Sequence, residues 1–172
     1  MTLSKTVLVT GVGGGSGLST ARILQATGYN VISVDASENS SGLQLNPISE
    51  VVPPASNQNF IDKIRFIVDK YNVNAIFPNV DEELKIFSNK DIFPEAIISP
   101  TETIDICSDK LKTIEKLSGV VPIPNSVTSV SDKPILIKPR VSRGSKNVYK
   151  VNSNKELDVL ISFLDLNQNL KE

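Results

Sequence analysis

The stretch of sequence that decides the fold is Thr6–Gly17, which reads TVLVTGVGGGSG. It begins with a short apolar run, which is typical of a buried β-strand. The glycines that follow favour a tight turn at the end of that strand. Apolar residues after Gly17 then recur at helical spacing as far as Gly28, a residue type suited to ending a helix. We therefore predict a strand, a glycine turn and a helix in succession.

The same alternation of apolar runs and helical periodicity continues to about residue 100. Further strands are predicted at Val31–Val34 and Ala75–Phe77, with weaker candidates at Val51–Val52 and Ala96–Ile98. Between them, the apolar residues of Phe60–Tyr71 recur at the spacing of an amphipathic helix. Strands that alternate with helices predict an α/β fold, here a Rossmann-like parallel sheet flanked by helices.

Beyond residue 100 the order of elements changes. Ser99–Glu102 has the form of a capping box and predicts a helical stretch to about Leu117, with a break near Ser108. Two apolar runs follow, Ile135–Ile137 and Val148–Val151, and the loop between them is polar and basic. This pattern predicts an antiparallel hairpin that lies outside the first sheet.

The last element is a helix opened by Ser153, with one apolar stripe expected to be buried. The residues of that stripe are Leu157, Leu160, Ile161 and Leu164. We predict two parts for the chain. Residues 1–100 form the Rossmann-like domain, and residues 101–172 form a linker helix and a partial α+β subdomain.

Composition excludes several classes of function. The 172 residues include 18 Lys and Arg against 19 Asp and Glu, so nothing suggests a nucleic-acid or anionic membrane partner. The chain has no histidine, which removes histidine-based zinc sites and catalytic triads. The single cysteine, Cys107, lies on a predicted apolar stripe and is expected to be buried. No apolar run approaches membrane-spanning length, so we predict a cytoplasmic protein.

The glycine turn is also typical of proteins that bind a dinucleotide such as NAD. Thr10–Gly17 matches the T-G-x-x-x-G-x-G pattern of short-chain dehydrogenases, and Asp35 ends the second strand where an NAD ribose partner lies. Those enzymes also use a Tyr-x-x-x-Lys pair, and none of the three tyrosines has a lysine four residues later. An NAD(P)-binding module or sensor without the catalytic tyrosine stays an alternative.

A second candidate site lies in the basic loop of the predicted hairpin. Pro134–Val148 reads PILIKPRVSRGSKNV, so an apolar strand carries Lys138 at its end and the loop follows directly. Backbone N–H groups and cations of such a loop can close over an anion, and a lysine fixed on a strand supplies a point charge for phosphate. An ordinary hairpin with solvated charges is the alternative.

Three motifs, in order along the chain, resemble the ATP-grasp superfamily, near its carbamoyl-phosphate-synthase-like branch. Ile137–Arg140 followed by Arg143–Ser145 is similar to the phosphate-binding strand and loop of that family. Ser108–Leu111 resembles the start of the helix that opens its nucleotide module, and Val121–Ser126 resembles a proline-bearing segment between them. The preceding residues resemble a pre-ATP-grasp domain, which implies that residues 101–172 begin the ATP-grasp module itself.

This resemblance implies three groups of site residues. The expected ATP-phosphate ligands are Lys110, Lys138, Arg140, Arg143, Gly144, Ser145 and Lys146. The glycine turn, expected to meet an anionic substrate or intermediate, contributes Gly11, Gly13, Gly14, Gly15, Ser16 and Gly17. An acidic segment on the substrate side contributes Asp81, Glu82 and Glu83. For that segment an ordinary helix start, capped by Asn79, is the alternative.

The resemblance also implies a reaction, the ATP-dependent ligation of a carboxylate to an amine or ammonia through an acyl phosphate. Such chemistry uses Mg²⁺, and the residues after Lys138 contain no convincing pair of metal ligands. We identify no catalytic residue in the chain and expect it to be inactive alone, with a second half supplied separately if the enzyme is split. A non-catalytic interaction domain is a further alternative.

Overall fold

The computed structural model describes residues 5–142, 144 and 146–169, and from residue 165 onward it describes the backbone only. The chain divides into two compact units between Asp105 and Ile106, here called unit one and unit two. The elements that begin in unit one are β1 (Thr6–Thr10), α1 (Gly15–Ala26), β2 (Asn30–Asp35), α2 (Ser41–Leu45), β3 (Ile48–Val51), α3 (Phe60–Tyr71), β4 (Ala75–Phe77), α4 (Asp81–Phe87) and α5 (Thr101–Cys107). Those of unit two are α6 (Lys110–Leu117), β5 (Ile135–Ile137), β6 (Tyr149–Val151) and α7 (Asn154–Asn169).

Unit one is built on a parallel sheet with the strand order β3-β2-β1-β4. Successive side chains of a strand point to opposite faces, so Leu8 faces one side of the sheet and Val7 and Val9 face the other. Leu8 packs in a core that includes Ile64 of α3, whereas Val7 and Val9 pack with Ala21 of α1. Helices therefore cover both faces, and the predicted α/β fold with a parallel sheet is confirmed.

Two strand predictions in unit one need correction. The third strand occupies Ile48–Val51, earlier than the predicted Val51–Val52. This edge strand is only half-buried, so it contains polar residues and has no continuous apolar run that would predict a strand. The predicted strand at Ala96–Ile98 is reduced to an isolated parallel bridge between Ile76 and Ala96. Ile97 is exposed there, so one face of that segment has no core to pack against.

Glu50 of β3 joins the edge of the sheet to α3. Its carboxylate accepts hydrogen bonds from Lys63 Nζ at 2.6 Å, Lys70 Nζ at 2.7 Å and Tyr71 Oη at 2.9 Å. Partial burial of the carboxylate acts to raise its pKa, but these three hydrogen bonds outweigh it and lower the pKa from 4.5 to about 2. The folded state therefore favours the charged form of this side chain.

We expect the Glu50→Gln variant to lose about 1 kcal/mol of stability at pH 7, since solvent screens much of the attraction. A carboxyl whose pKa is lowered on folding stabilises the fold above its unfolded pKa, and that stabilisation disappears as the pH falls. The wild-type chain should thus lose this increment between about pH 4.5 and pH 2, and the variant should not. Urea unfolding at pH 7 and pH 3 measures the difference, with exposed Glu38→Gln as the control. An identical pH dependence in wild type and Glu50→Gln would contradict this account.

The break predicted near Ser108 is confirmed, because α5 ends at Cys107 and α6 begins at Lys110. The prediction that Cys107 is buried is wrong, since its side chain is exposed. Helical periodicity stops at the end of α5, and the extended backbone of Asp109 interrupts the stripe on which that prediction depended.

In unit two, β5 and β6 form the predicted antiparallel hairpin outside the first sheet. A small core joins it to α7 through Val151 and Leu157. Ile161, which was expected in the buried stripe of α7, is half-exposed because only Leu157 and Leu160 pack in that core. Within the described part of the chain, no helix is long and apolar enough to cross a membrane.

Candidate functional site

The glycine turn lies between β1 and α1, as the sequence predicts. Gly14 N–H donates to the carbonyl oxygen of Gly11 at 3.0 Å, and Gly11 has a φ of 63°, a left-handed conformation that favours glycine. Gly14 occupies the N-cap position of α1 and has no side chain with which to cap the helix. The first N–H groups of a helix lack intrahelical partners, so this end of α1 can receive an anion.

Asp35, at the end of β2, is held by the backbone of neighbouring loops. Its Oδ2 accepts a hydrogen bond from Gly13 N at 2.7 Å, and its Oδ1 accepts one from Ser37 N at 2.9 Å. Gly42 of α2 also packs so closely on Val12 that a side chain there would collide with the Val12 carbonyl oxygen. The segment after β2 therefore lies directly against the glycine turn.

A polar network links the glycine turn to the end of β4. Asn79 Oδ1 accepts hydrogen bonds from Ser16 Oγ at 2.8 Å and Thr20 Oγ1 at 3.3 Å. Thr10 Oγ1 accepts from Asn79 N at 3.0 Å and donates to Glu83 Oε2 at 2.5 Å. The interpretation of Asn79 as a helix cap is wrong, because Val80 occupies the N-cap of α4. The side chain of Asn79 is engaged by α1 instead.

β1 is flanked by β2 on one side and by β4 on the other, and the network lies at the carboxyl ends of β1 and β4. This arrangement is a switch point, which opens a crevice at the carboxyl ends of the strands, where α/β proteins bind ligands. Asp81 and Glu82 are exposed near it, whereas Glu83 is buried against Thr10. Sequence reasoning did not assign Asn79 or Thr10 to the candidate site. The available signal was a polar residue at or just after the end of each of two apolar runs.

The start of α6 in unit two is organised by Asp109. Its carboxylate caps the helix by accepting from Leu111 N at 2.9 Å, and it pairs with Arg140 at 2.6 Å and 3.1 Å. The hydrogen bond from Arg140 lowers the Asp109 pKa to about 2, assisted by the backbone N–H groups of Leu111 and Lys112 and opposed by desolvation. The Arg140 guanidinium, expected at the ATP phosphates, forms an ion pair with Asp109 in the structure.

The two lysines expected at the ATP phosphates have different surroundings. Lys110 Nζ donates to the carbonyl oxygen and the hydroxyl of Ser142, both at 2.9 Å, and to the carbonyl oxygen of Arg140 at 3.4 Å. Lys138 follows β5 directly and is exposed. The structure thus brings Lys110 and the Arg140 backbone together, whereas the described contacts include no hydrogen bond or ion pair from Lys138 to either residue.

The structure describes some of the remaining candidate residues of the β5–β6 loop. Gly144 and Lys146 are exposed, and the loop turns through left-handed conformations at Gly144, with a φ of 61°, and Asn147, with a φ of 57°. Arg143 and Ser145 lie outside the described residues. Among the residues that are described, no cluster of three or more Asp, Glu, Cys or His side chains could hold a metal ion.

Two family models match the chain. The PylC-like, N-terminal domain matches residues 7–98, and an ATP-grasp domain matches residues 107–170. No curated protein matches the sequence significantly. Both matches agree with the resemblance of the sequence to ATP-grasp proteins.

Several solved structures have the same fold. N5-carboxyaminoimidazole synthetase from Staphylococcus aureus, solved with ADP, is 19% identical with a TM-score of 0.67, over 95% of this chain and 46% of that one. L-amino acid ligase from Bacillus licheniformis is 13% identical with a TM-score of 0.67, over 94% and 42%. N5-carboxyaminoimidazole ribonucleotide synthetase from Thermotoga maritima is 18% identical with a TM-score of 0.60, over 90% and 42%. The chain therefore spans less than half the length of these relatives.

Proposed function

The chain belongs to the PylC-like family through its N-terminal domain, and from this premise we propose that it is the nucleotide-phosphate-binding portion of an ATP-dependent ligase. The reaction proposed for the whole enzyme joins a carboxylate to an amine or ammonia. A carboxylate oxygen attacks the γ-phosphorus of ATP and ADP leaves, after which the amine attacks the acyl carbon and phosphate leaves. The carbamoyl-phosphate-synthase-like branch of the superfamily is the finer assignment that we propose.

One observation carries this proposal: Lys138 is exposed at the end of β5, directly before a loop with left-handed turns. Left-handed turns direct backbone N–H groups outward, and a strand-borne ammonium beside them provides a site for phosphate oxygens. We propose ATP as the ligand of this loop. The proposed phosphate ligands are Lys110, Lys138, Arg140, Arg143, Gly144, Ser145 and Lys146.

In unit one we propose that the crevice beside β1 receives the substrate. The N-terminus of α1 and the glycine turn would meet an anionic group, such as the carboxylate or its acyl phosphate. Asp81 and Glu82, which are exposed, would lie on the substrate side, while the buried Glu83 would support the crevice through Thr10. The domain boundary near residue 100 is part of this proposal.

Among the described residues, no group of three or more Asp, Glu, Cys or His side chains could hold a metal ion, and we propose no residue of this chain as a magnesium ligand. Positioning and metal-assisted charge stabilisation supply most phosphoryl-transfer catalysis. We therefore propose that this chain alone does not turn over ATP, and that the rest of an ATP-grasp domain completes the site, from a second polypeptide if the enzyme is split. We further propose a cytoplasmic enzyme with small-molecule substrates and no nucleic-acid or membrane partner.

The glycine turn favours one other candidate, an NAD(P)-binding module. A dinucleotide site of this type needs the acidic residue after the second strand to bind the ribose hydroxyls. Asp35 accepts hydrogen bonds from Gly13 N and Ser37 N with its two carboxylate oxygens, so the backbone competes for the acceptor sites that the ribose hydroxyls would use. These contacts favour the ATP-grasp proposal over the dinucleotide module.

Titration calorimetry distinguishes the two candidates. We expect the chain to bind ATP weakly, with a Kd of about 1 mM, and to give no response to NAD(H). Adenosine is the matched ligand control: it lacks the phosphates that the β5–β6 loop would bind, so it should bind less well than ATP. Tight NAD(H) binding without an ATP response would overturn the proposed function.

A further inference from the structure

The segment that joins α6 to β5 is attached at very few points. Residues 122–134 are here called the strap, and Val130 is the one strap residue for which the structure describes a hydrogen bond. Val130 is also the one buried residue of the strap, while Ile123 is half-buried and the others are exposed. Just before the strap, Val121 N–H donates to the carbonyl oxygen of Leu117 at 3.2 Å.

The attachment at Val130 is made by the side chain of Asn154, in the first turn of α7. Val130 N–H donates to Asn154 Oδ1 at 2.8 Å, and Asn154 Nδ2 donates to the carbonyl oxygen of Val130 at 3.1 Å. One side-chain amide therefore pairs with both backbone groups of a residue 24 positions away, as a neighbouring strand would. Backbone groups beside a core need such partners, so this contact allows Val130 to be buried.

The core that receives Val130 is small. Among the described residues of unit two, the buried apolar side chains are Val130, Val151 of β6 and Leu157 of α7. The two strands of the hairpin pair over three residues each, and a two-stranded hairpin needs packing against another element to be stable. Without Val130, the hairpin and α7 would each bring one buried side chain to this core.

We propose that Asn154 and Val130 form a releasable clasp, which holds the strap in place and keeps unit two closed. When the clasp opens, Val130 leaves the core, the hairpin separates from α7 and unit two opens as one piece while unit one stays folded. The clasp itself rests on the contacts of unit two alone. The β5–β6 loop belongs to the piece that opens, so bound ATP should favour the closed clasp, a consequence that rests on the proposed function.

Hydrogen exchange followed by NMR tests the clasp in the wild-type chain without nucleotide. We expect the Val130 amide to have the same protection factor as the paired amides of β5 and β6, because one opening exposes all of them. The central amides of β1 and α3 should be protected at least about a hundredfold more. A Val130 amide about tenfold less protected than the hairpin would overturn the inference, because the clasp would then open without unit two.

Two substitutions of Asn154 separate the clasp from an ordinary helix start. Asn154→Ala removes both hydrogen bonds and should lower protection about tenfold throughout unit two. Asn154→Asp keeps the acceptor for Val130 N–H but places a carboxylate against the Val130 carbonyl oxygen, and should lower protection about threefold. If Asn154 served only to start α7, both variants would raise protection, since alanine has the higher helix propensity and an aspartate favours a helix N-terminus.

Asn125→Ala is the matched control, because it removes an exposed asparagine of the strap for which the structure describes no hydrogen bond. It should leave protection unchanged, and no Asn154 variant should alter unit one. Unchanged or higher protection of unit two in the Asn154 variants would overturn the clasp. If Asn154→Ala fails to fold, Asn154→Asp and the wild-type pattern decide.

ATP tests the consequence for the nucleotide site. At an ATP concentration ten times its Kd, protection in unit two of the wild-type chain should rise about tenfold. Binding of ATP without this rise would overturn the link between the clasp and the nucleotide site. If the chain binds no ATP, the proposed function fails, and exchange without nucleotide still decides the clasp.

Discussion

Gly17→Ala is expected to destabilise unit one by about 3 kcal/mol, because an alanine side chain has no space at that position. A Cβ on Gly17 would lie 2.6 Å from the carbonyl carbon of Gly11 and 2.7 Å from the carbonyl oxygen of Thr10, and closer still to the Gly11 oxygen. These are backbone atoms at the end of β1, which pairs on both sides in the sheet and cannot move aside. Urea unfolding followed by far-UV circular dichroism measures the loss.

Gly15→Ala is the matched control in the same helix. Among the described residues, none comes within 4 Å of a Cβ placed on Gly15. Alanine also has the higher helix propensity, so this variant should be neutral or more stable by about 0.5 kcal/mol. Equal unfolding midpoints for the two variants would show that α1 does not approach β1 as closely as described here.

Lys138→Ala is expected to weaken ATP binding by about tenfold or more, because it removes the cation that we propose meets the phosphates. The fold should be unaffected, since the side chain is exposed at the end of β5. Calorimetric titration of wild type and variant at low salt measures the ratio of the two Kd values. Lys150→Ala, on β6 of the same hairpin, is the control and should bind ATP as wild type does.

The same substitution should be more severe in a protein that carries the rest of an ATP-grasp domain. Losing a preorganised charge aimed at the transferring phosphoryl group costs ~3 kcal/mol of barrier, or about a hundredfold in turnover. Unchanged affinity in this chain together with unchanged turnover in the longer protein would remove Lys138 from the proposed site.

Apolar runs and helical periodicity were sufficient to predict the buried strands and the amphipathic helix of unit one. β1, α3 and β4 begin and end where the apolar runs and the helical period indicated. The polar β3 was misplaced, because it is held by its pairing with β2 and by the contacts of Glu50 with α3, neither of which requires an apolar run. Ile161 and Cys107 satisfied the helical period and are nevertheless not buried, because periodicity identifies a face of a helix but not whether anything packs on it.

The sequence by itself determined the parallel α/β sheet, the glycine turn after β1, the separate hairpin and the resemblance to ATP-grasp proteins. It did so because alternation, turn residues and short motifs act between neighbours in the chain. Only the tertiary structure decided what the polar side chains contact. Asn79 bonds to α1 and not to its own helix, and the side chains of Asp109 and Lys110 engage residues some thirty positions away. Such partners are chosen by how distant segments pack, and no spacing within the sequence reports that.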